Sequence, residues 1–254
     1  MITKKESYVD EPGSTKLSKI LALLANRTTL ANIQEVIQIM QNLDAILPSS
    51  DGLKWFNQLY LRVTQAVYAK QPPGGWDDQA WLTKLDINFG RLYFDALANS
   101  CLDQTKVPRA WMALFKSRDN QNIERVQFAL AGINAHINHD LPLALVQTCK
   151  VMHTSPQRDT REYSDFENVN NLLSGVMPTT LNVLATGILG ELAQDTGTIG
   201  RLLAMWSVET ARDTAWTNTE LLWELQNLPT LVDNFMMVID RLSGLAGRGL
   251  LTTV

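Results

Sequence analysis

The sequence predicts an all-α protein, a single-domain bundle of about eight to eleven helices. Apolar residues recur at spacings of three and four through most of the 254 residues, as they do on the buried face of a helix. No segment alternates apolar and polar residues ahead of a hairpin turn, so strands are not expected. The 45% hydrophobic and 19% charged fractions are those of an ordinary globular protein. We expect residues 1–13 to form a flexible N-terminal arm and residues 14–254 a single helical domain.

Each helix is predicted from its apolar stripe and from the residues that start or stop it. Asp51 and either Asp77 or Asp78 stand where N-caps are expected, and Pro108 stands where a first-turn proline is expected. Leu141-Pro142 should interrupt the central helix, because the residue before a proline is pushed out of the helical region. The predicted helices cover about residues 14–24, 30–47, 52–68, 77–98, 108–115, 122–141, 142–152, 165–173, 179–193, 199–223 and 229–242.

Glycine and proline mark the remaining boundaries. The run Gln71-Pro72-Pro73-Gly74-Gly75 predicts a loop rather than a domain boundary, since the composition is the same on both sides. A helix break is expected at Gly175–Pro178, and an exposed polar loop between Ser155 and Glu162. The glycines at positions 187, 190, 197 and 200 indicate tight helix contacts or a turn.

The segment from Ala129 to Leu145 is the most informative stretch of the chain. It holds two of the three histidines, and its polar residues interrupt an otherwise apolar run. On an ideal helix His136 and Asp140, four residues apart, lie on one strip, and the small Gly132 leaves space one turn earlier. Buried polar groups are costly unless they are paired or used. A histidine and a carboxylate beside a gap therefore indicate a ligand, a metal or a closely packed helix.

Two kinds of chemistry fit this motif. His136 and Asp140 can exchange protons with a substrate as an acid–base pair, with Asn134 and Asn138 orienting a bound polar group. Alternatively, His136, Asp140 and His139 can hold a divalent metal such as zinc or iron. His139 lies about 60° off the strip and either joins it or faces outwards.

The same motif also has a purely structural interpretation. Asp140 can cap the helix that starts at Leu141-Pro142, and Asn138 can end the preceding helix in the left-handed conformation. His136 would then bond a backbone carbonyl in the core. A reachable pocket with His136 and Asp140 pointing into it supports an enzyme. Burial of both, with Asp140 bonded to backbone amides of the next turn, supports a structural junction.

Four further residues are predicted to bind substrate. Arg212 can clamp an anion beside Trp216, although an intrahelical salt bridge of Arg212 with a neighbouring carboxylate is the alternative. Tyr60 and Tyr93 belong to a group of aromatic residues at helical spacing that either line an apolar pocket or form ordinary core. The other members of that group are Trp55, Phe56, Phe94, Trp111 and Phe115.

Composition and missing motifs narrow the function classes. The net charge of −4, with Lys and Arg spread along the chain, gives no footprint for nucleic acid. No apolar run reaches the length of a membrane span, the opening residues lack the apolar core of a signal peptide, and Cys101 and Cys149 form no paired-cysteine motif. We therefore expect a cytoplasmic protein without a membrane span. Phosphate-binding loops and nucleophile elbows are absent from the sequence.

Several stretches resemble an uncharacterised bacterial family of all-helical proteins, a domain of unknown function. The longest runs from Phe128 to Leu145 and contains Asn-Ala-His-Ile-Asn-x-Asp-Leu-Pro at positions 134–142. The others are residues 52–64, Pro108-Arg-Ala-Trp and Ala211-Arg-Asp-Thr-Ala-Trp. The resemblance covers most of the chain and implies an all-helical fold, but it implies no activity.

A second resemblance is local. His136-x-x-x-Asp140 with a nearby proline is similar to the motif of the helical zinc-dependent phospholipase C and single-strand nuclease group. That group uses three zinc ions, further histidines and a His-x-x-x-Glu, whereas this chain has three histidines and no His-x-x-x-Glu. A three-zinc site is therefore excluded. At most one or two metals would bind, with the site completed by Asp159, Asp165, Glu167 or Glu209.

Together these features predict a small-molecule enzyme built in a helical bundle, acting on an apolar substrate. Its reaction would be metal-assisted hydrolysis, or metal-free acid–base or cyclisation chemistry. The alternative is a non-catalytic binding or structural protein in which the His/Asp motif only fixes a helix junction.

Overall fold

The computed structural model describes residues 12–186 and 207–252, which form helices and no strand. The α-helices are α1 (Pro12–Leu23), α2 (Ile33–Ile46), α3 (Leu53–Ala69), α4 (Gln79–Leu102), α5 (Arg109–Ser117), α6 (Arg125–Ala135), α7 (Leu141–Met152), α8 (Arg161–Thr186), α9 (Val208–Glu224) and α10 (Pro229–Leu250). A π turn, His136–Asp140, joins α6 directly to α7, so these ranges contain nine continuous helices. The all-α prediction is confirmed.

The predicted interruption at Leu141-Pro142 is wrong, because the helix widens there instead of breaking. In the π turn the amide of Leu141 bonds the carbonyl of His136, five residues earlier. Pro142 has no amide hydrogen and its ring would crowd an ordinary α-helical turn, and the wider turn makes room for it. The chain therefore passes Pro142 without leaving the helical region.

The predicted break at Gly175–Pro178 is also wrong. Helix α8 continues through Pro178 to Thr186. A proline inside a helix removes one hydrogen bond, but α8 keeps an apolar stripe that packs on the core on both sides of it. The buried members of that stripe are Phe166, Val169, Leu173, Met177, Leu181 and Leu184.

The predicted caps agree with the structure in part. The side chain of Asp78 accepts a hydrogen bond from the amide of Trp81 and caps α4. Asp51 accepts from the amide of Leu53, but its buried carboxylate mainly pairs with Arg118, at 2.5 Å from Nη2. Lys16 and Arg118 outweigh burial and lower the pKa of Asp51.

Some predictions lie outside the described residues. These are the conformation of residues 1–11, the glycines at positions 187, 190, 197 and 200, and the first part of the helix predicted over residues 199–223. Among the helices that are described, none is long and apolar enough to cross a membrane.

Helix α6 occupies the centre of the bundle. Every residue from Val126 to Ala135 is buried, and α6 packs against α3, α5, α8 and α10. Gly132 lets α6 approach Phe56 of α3 closely. A Cβ atom at position 132 would lie only 2.3 Å from the ring of Phe56. Because α6 leads straight into the π turn, His136 and Asp140 lie inside the core rather than at its surface.

We expect Gly132→Ala to destabilise the fold by about 1–3 kcal/mol, since Phe56 would have to leave its place in a close-packed core. Gly175→Ala is the matched control, because no atom lies within 4 Å of its added Cβ. That helical substitution should stabilise the protein by about 0.5–1 kcal/mol. Urea unfolding of both variants measures the difference, and equal midpoints would contradict the packing described here.

Candidate functional site

The carboxylate of Asp140 is the centre of a buried hydrogen-bond network. Its Oδ2 atom lies 3.0 Å from Nδ1 of His136 and accepts a bond of 2.9 Å from the indole Nε1 of Trp111. Its Oδ1 atom lies 2.7 Å from Nδ1 of His139. Asp140 is 2% exposed, so these bonds are made away from water. They hold the π turn to α5.

The charge state of Asp140 sets the tautomers of both histidines. Burial disfavours its ionised form, but the hydrogen bonds from His136 and His139 outweigh burial and lower its pKa. An ionised carboxylate can only accept hydrogen bonds. Both Nδ1 atoms must therefore carry hydrogen and donate to Asp140.

The predicted capping role of Asp140 is not found. Asp140 precedes α7, but its side chain makes no capping bond, and the three hydrogen bonds that it accepts come from side chains. The predicted helix end at Asn138 is absent too, because Asn138 lies inside the π turn. The left-handed residue that ends a helix here is His153, at φ 56° and ψ 38° after α7.

His139 joins the network rather than facing outwards. Its Nε2 atom lies 3.7 Å from the carboxylate of Asp240 on α10, which in turn accepts a bond from the amide of Ala110. Burial lowers the pKa of His139, but the two aspartates outweigh it and raise the pKa above its usual range. His139 thus bridges Asp140 to the C-terminal helix.

His136 has one engaged nitrogen and one unpartnered nitrogen. Nδ1 faces Asp140, whereas Nε2 is buried and has no hydrogen-bond partner among the described residues. The ring stacks on Phe89 with centroids 3.5 Å apart and meets the edge of Tyr60 at 4.5 Å. Burial outweighs Asp140 and lowers the pKa of His136. At neutral pH the imidazole is therefore uncharged and Nε2 holds a lone pair.

The ring of His136 forms part of the wall of an apolar cavity of about 70 Å³. Its wall comes from α3, α4, α6, the π turn, α7, α8 and α9. Most lining side chains are aliphatic or aromatic, and Phe56, Phe89, Ile133 and Leu173 are among them. The polar side chains that line it within residues 12–186 and 207–252 are Tyr60, Thr64, Asp86, His136 and Arg212.

Arg212 reaches this cavity from α9, as its predicted binding role requires. It is 7% exposed, its Nε donates to Asn170 at 2.7 Å, and its Nη2 donates to the carbonyl of Phe166 at 2.6 Å. Its guanidinium lies 4.0 Å above the ring of Phe166. The intrahelical salt bridge considered above is not formed, because Asp213 pairs with Arg158 instead.

Asp86 is a lining residue that the sequence analysis missed. It lies on α4 between the buried residues Leu85 and Ile87. Burial raises its pKa to about 7, against the lowering effect of Arg212. Its one sequence signal was a carboxylate next to two buried apolar positions of a long helix. That signal is weak, because a charged residue there normally belongs to the outer helix face.

Tyr60 lines the cavity as predicted, whereas Tyr93 and Trp216 do not. Tyr93 is fully buried in the core, where its hydroxyl donates to Asn57 at 3.3 Å. Trp216 is fully buried against Trp81 and Phe166. Of the wider aromatic group only Phe56 joins Tyr60 at the cavity, and the remaining members serve as core or lie at its edge.

Asn134 and Asn138 lie away from the cavity. The amide of Asn138 donates to Asn134 at 3.0 Å, and Asn134 donates to the carbonyl of Ser243 on α10 at 2.8 Å. Both border a separate surface groove beside Leu242. They therefore tie the π turn to α10, and the structure does not bring them to the unpartnered nitrogen of His136.

The geometry does not favour the metal hypothesis. The nitrogens of His136 and His139 that face Asp140 are engaged in hydrogen bonds with it. Within the described part of the chain, no three His, Cys, Asp or Glu side chains converge as a metal site needs. Asp165, one of the residues considered as a completing ligand, instead accepts bonds from the amides of Asp77 and Asp78.

Comparison with known proteins gives a family but no activity. The model of a family of unknown function, DUF5995, matches residues 33–253, a range that includes the whole network and the cavity. No curated protein and no solved structure matches the chain.

We expect Trp111→Phe to cost about 1.5–3 kcal/mol more than Trp216→Phe. Both indoles are buried, but Nε1 of Trp111 bonds the charged Asp140, whereas Nε1 of Trp216 has no hydrogen-bond partner among the described residues. Denaturant unfolding measures both losses, and their difference cancels the effect of the side-chain volume that both variants lose. Equal losses would show that the bond to Asp140 contributes nothing net.

Asp86 should give stability a characteristic pH dependence. Its folded-state pKa of about 7 exceeds the ordinary 3.8, so its contribution is complete below pH 3.8 and is lost as pH rises through 7. Relative to Asp86→Asn, the wild-type chain should lose about 2–4 kcal/mol between pH 4 and pH 8. Urea midpoints across this range test the shift. Asp233→Asn, an exposed change on α10, should follow the wild-type curve.

Proposed function

The chain belongs to this family of unknown function, and we propose that it is a small-molecule enzyme in which His136 acts as a general base oriented by Asp140. One observation carries the proposal. His136 donates through Nδ1 to a buried carboxylate, while its Nε2 is buried and unpartnered in a ring that walls an apolar cavity. A buried polar atom without a partner is costly, so it is expected where it has a use.

The hydrogen bond to Asp140 prepares His136 for proton transfer. It holds the hydrogen on Nδ1 and leaves the lone pair on Nε2. When Nε2 takes a proton from a substrate, the ring becomes an imidazolium whose positive charge Asp140 stabilises through the same bond. When Nε2 returns the proton, the starting state is restored, so the cycle needs no other reactant. Trp111 and His139 keep Asp140 in place through their own bonds.

The cavity determines what reaches this base. Its wall is mostly apolar, which favours a substrate with an apolar body and weakens competition from water. Its volume of about 70 Å³ admits only a small molecule. Chemistry that starts with loss of a proton from such a molecule includes isomerisation and cyclisation. Metal-assisted hydrolysis is disfavoured, since the candidate metal ligands His136, His139 and Asp140 form hydrogen bonds with one another.

The second candidate is a structural role for the pair, and the burial of the pair favours it. His136 and Asp140 are each 2% exposed, and the stacking of His136 on Phe89 contributes to packing whether or not a ligand binds. Against this role, Asp140 bonds side chains rather than the backbone amides of the next turn. A purely structural junction also gains nothing from the unpartnered Nε2.

Exchange of carbon-bound hydrogen tests the proposed base directly. We expect the wild-type protein in D₂O to exchange the protons next to the carbonyl of propanone faster than buffer, in proportion to protein concentration. His136→Gln should slow this protein-dependent rate by about 100-fold or more. Loss of the ¹H NMR signals measures the rate, and thermal unfolding verifies that the variant folds.

His153→Asn is the matched control. His153 is exposed at the end of α7, and asparagine tolerates its left-handed conformation. This variant should exchange at the wild-type rate. A wild-type rate no faster than buffer would reject the general base, as would equal rates for the wild type and His136→Gln.

A further inference from the structure

We infer that the cavity binds a short-chain carboxylate, with Arg212 holding the anionic group and the apolar wall holding the carbon chain. This names the substrate class of the site proposed above and so rests on that function. It is carried by a different set of contacts, those of α8 and α9 rather than those of the π turn.

Arg212 is a buried cation whose hydrogen bonds go to neutral acceptors. Its two bonds use an amide oxygen of Asn170 and the backbone carbonyl of Phe166. No carboxylate of the described residues pairs with it within 4.0 Å; Glu167 and Asp86 act on its charge only from farther away. A buried charge whose counter-charges lie only at a distance is costly, so a direct ion pair with an anion from outside the chain would stabilise it.

The position of Arg212 limits where that anion can lie. Its side chain contributes to the cavity wall, together with Tyr60, Asp86 and His136. Burial lowers the pKa of Arg212 to about 10, so the guanidinium remains charged at neutral pH. An anion in the cavity therefore meets a permanent positive charge in surroundings that screen it poorly.

Asp86 favours an anion when it is protonated. In its neutral form it can donate a hydrogen bond to a bound carboxylate, and in its ionised form it repels one. The charged or titratable groups that face Asp86 are Arg212 on α9, His136 on the π turn and Tyr60 on α3. Burial and the charge of Asp86 raise the pKa of Tyr60, so Tyr60 stays neutral.

The size and lining of the cavity restrict the rest of the ligand. Its volume of about 70 Å³ is roughly half that of a cavity of 150 Å³ that accommodates benzene. The remaining wall is aliphatic and aromatic. With four non-hydrogen atoms against the six of benzene, acetate comes closest to both limits, whereas phosphate esters and sugars would place polar groups against apolar walls.

Arg212 also has a structural use, because its two bonds join α9 to α8. A structural arginine would be indifferent to the charge of a molecule in the cavity. The test therefore compares ligands of one shape and different charge.

Isothermal titration with acetate, acetamide and acetamidinium makes this comparison at pH 6.5. We expect wild-type protein to bind acetate at least tenfold more tightly than acetamide, and acetamidinium not at all. Arg212→Gln should lose at least tenfold in affinity for acetate and keep its affinity for acetamide. Arg212→Lys should recover part of the loss, because it restores the charge without the planar fork.

A second measurement avoids any folding defect of the Arg212 variants. As pH rises from 6 to 8, acetate binding to the wild type should weaken about fivefold or more, since Asp86 loses its proton. Asp86→Asn should show no such change. Equal affinity of the wild type for acetate and acetamide, no binding of acetate, or an unchanged pH dependence in Asp86→Asn would each overturn the carboxylate site.

These outcomes are independent of the proton-exchange assay. Selective binding of acetate without exchange of propanone would retain the carboxylate site and reject His136 as a base. Exchange without selective binding of acetate would retain the base and reject the carboxylate.

Discussion

The bonds that Asp140 accepts from Trp111, His136 and His139 determine the arrangement at the centre of this molecule. A buried carboxylate is tolerated only when its acceptor capacity is met, and here side chains from α5 and the π turn meet it. The network keeps the carboxylate ionised, sets the tautomer of His136 and links the π turn through His139 to Asp240 on α10. Removing any one donor would leave the buried charge with two hydrogen bonds instead of three.

The π turn is the backbone counterpart of that network. It carries the chain past Pro142 without a break, so α6 and α7 stay continuous inside the core. A π turn often marks a functional position in a helix. Here it holds His136 against Phe89 and beside a cavity, and leaves Nε2 without a partner among the described residues. Nδ1 on one side of the ring is held by a hydrogen bond, and Nε2 on the other side keeps its lone pair. A general base requires this arrangement.

The cavity combines features that rarely occur together by chance. It is apolar, yet Arg212 enters it with neutral hydrogen-bond partners and Asp86 lies in its wall with a pKa of about 7. A group in a cleft with a pKa perturbed by burial and by a charged neighbour is a candidate for a functional role. The network of Asp140 lies on α5 and the π turn, whereas Arg212 and Asp86 lie on α9 and α4, so the base and the proposed anion site can be tested separately.

Much of this protein followed from local sequence patterns. The all-helical fold, the contact between His136 and Asp140 and the capping role of Asp78 depend on helical periodicity and on residues three or four positions apart, which a sequence shows directly. Only the tertiary structure decided the rest. Pro142 and Pro178 remain inside helices because packing outweighs the local cost of proline. Trp111 bonds Asp140 across 29 positions of the sequence, and Asp86 shares a cavity with Arg212 from still farther away. Only the packing of helices brings such distant residues together.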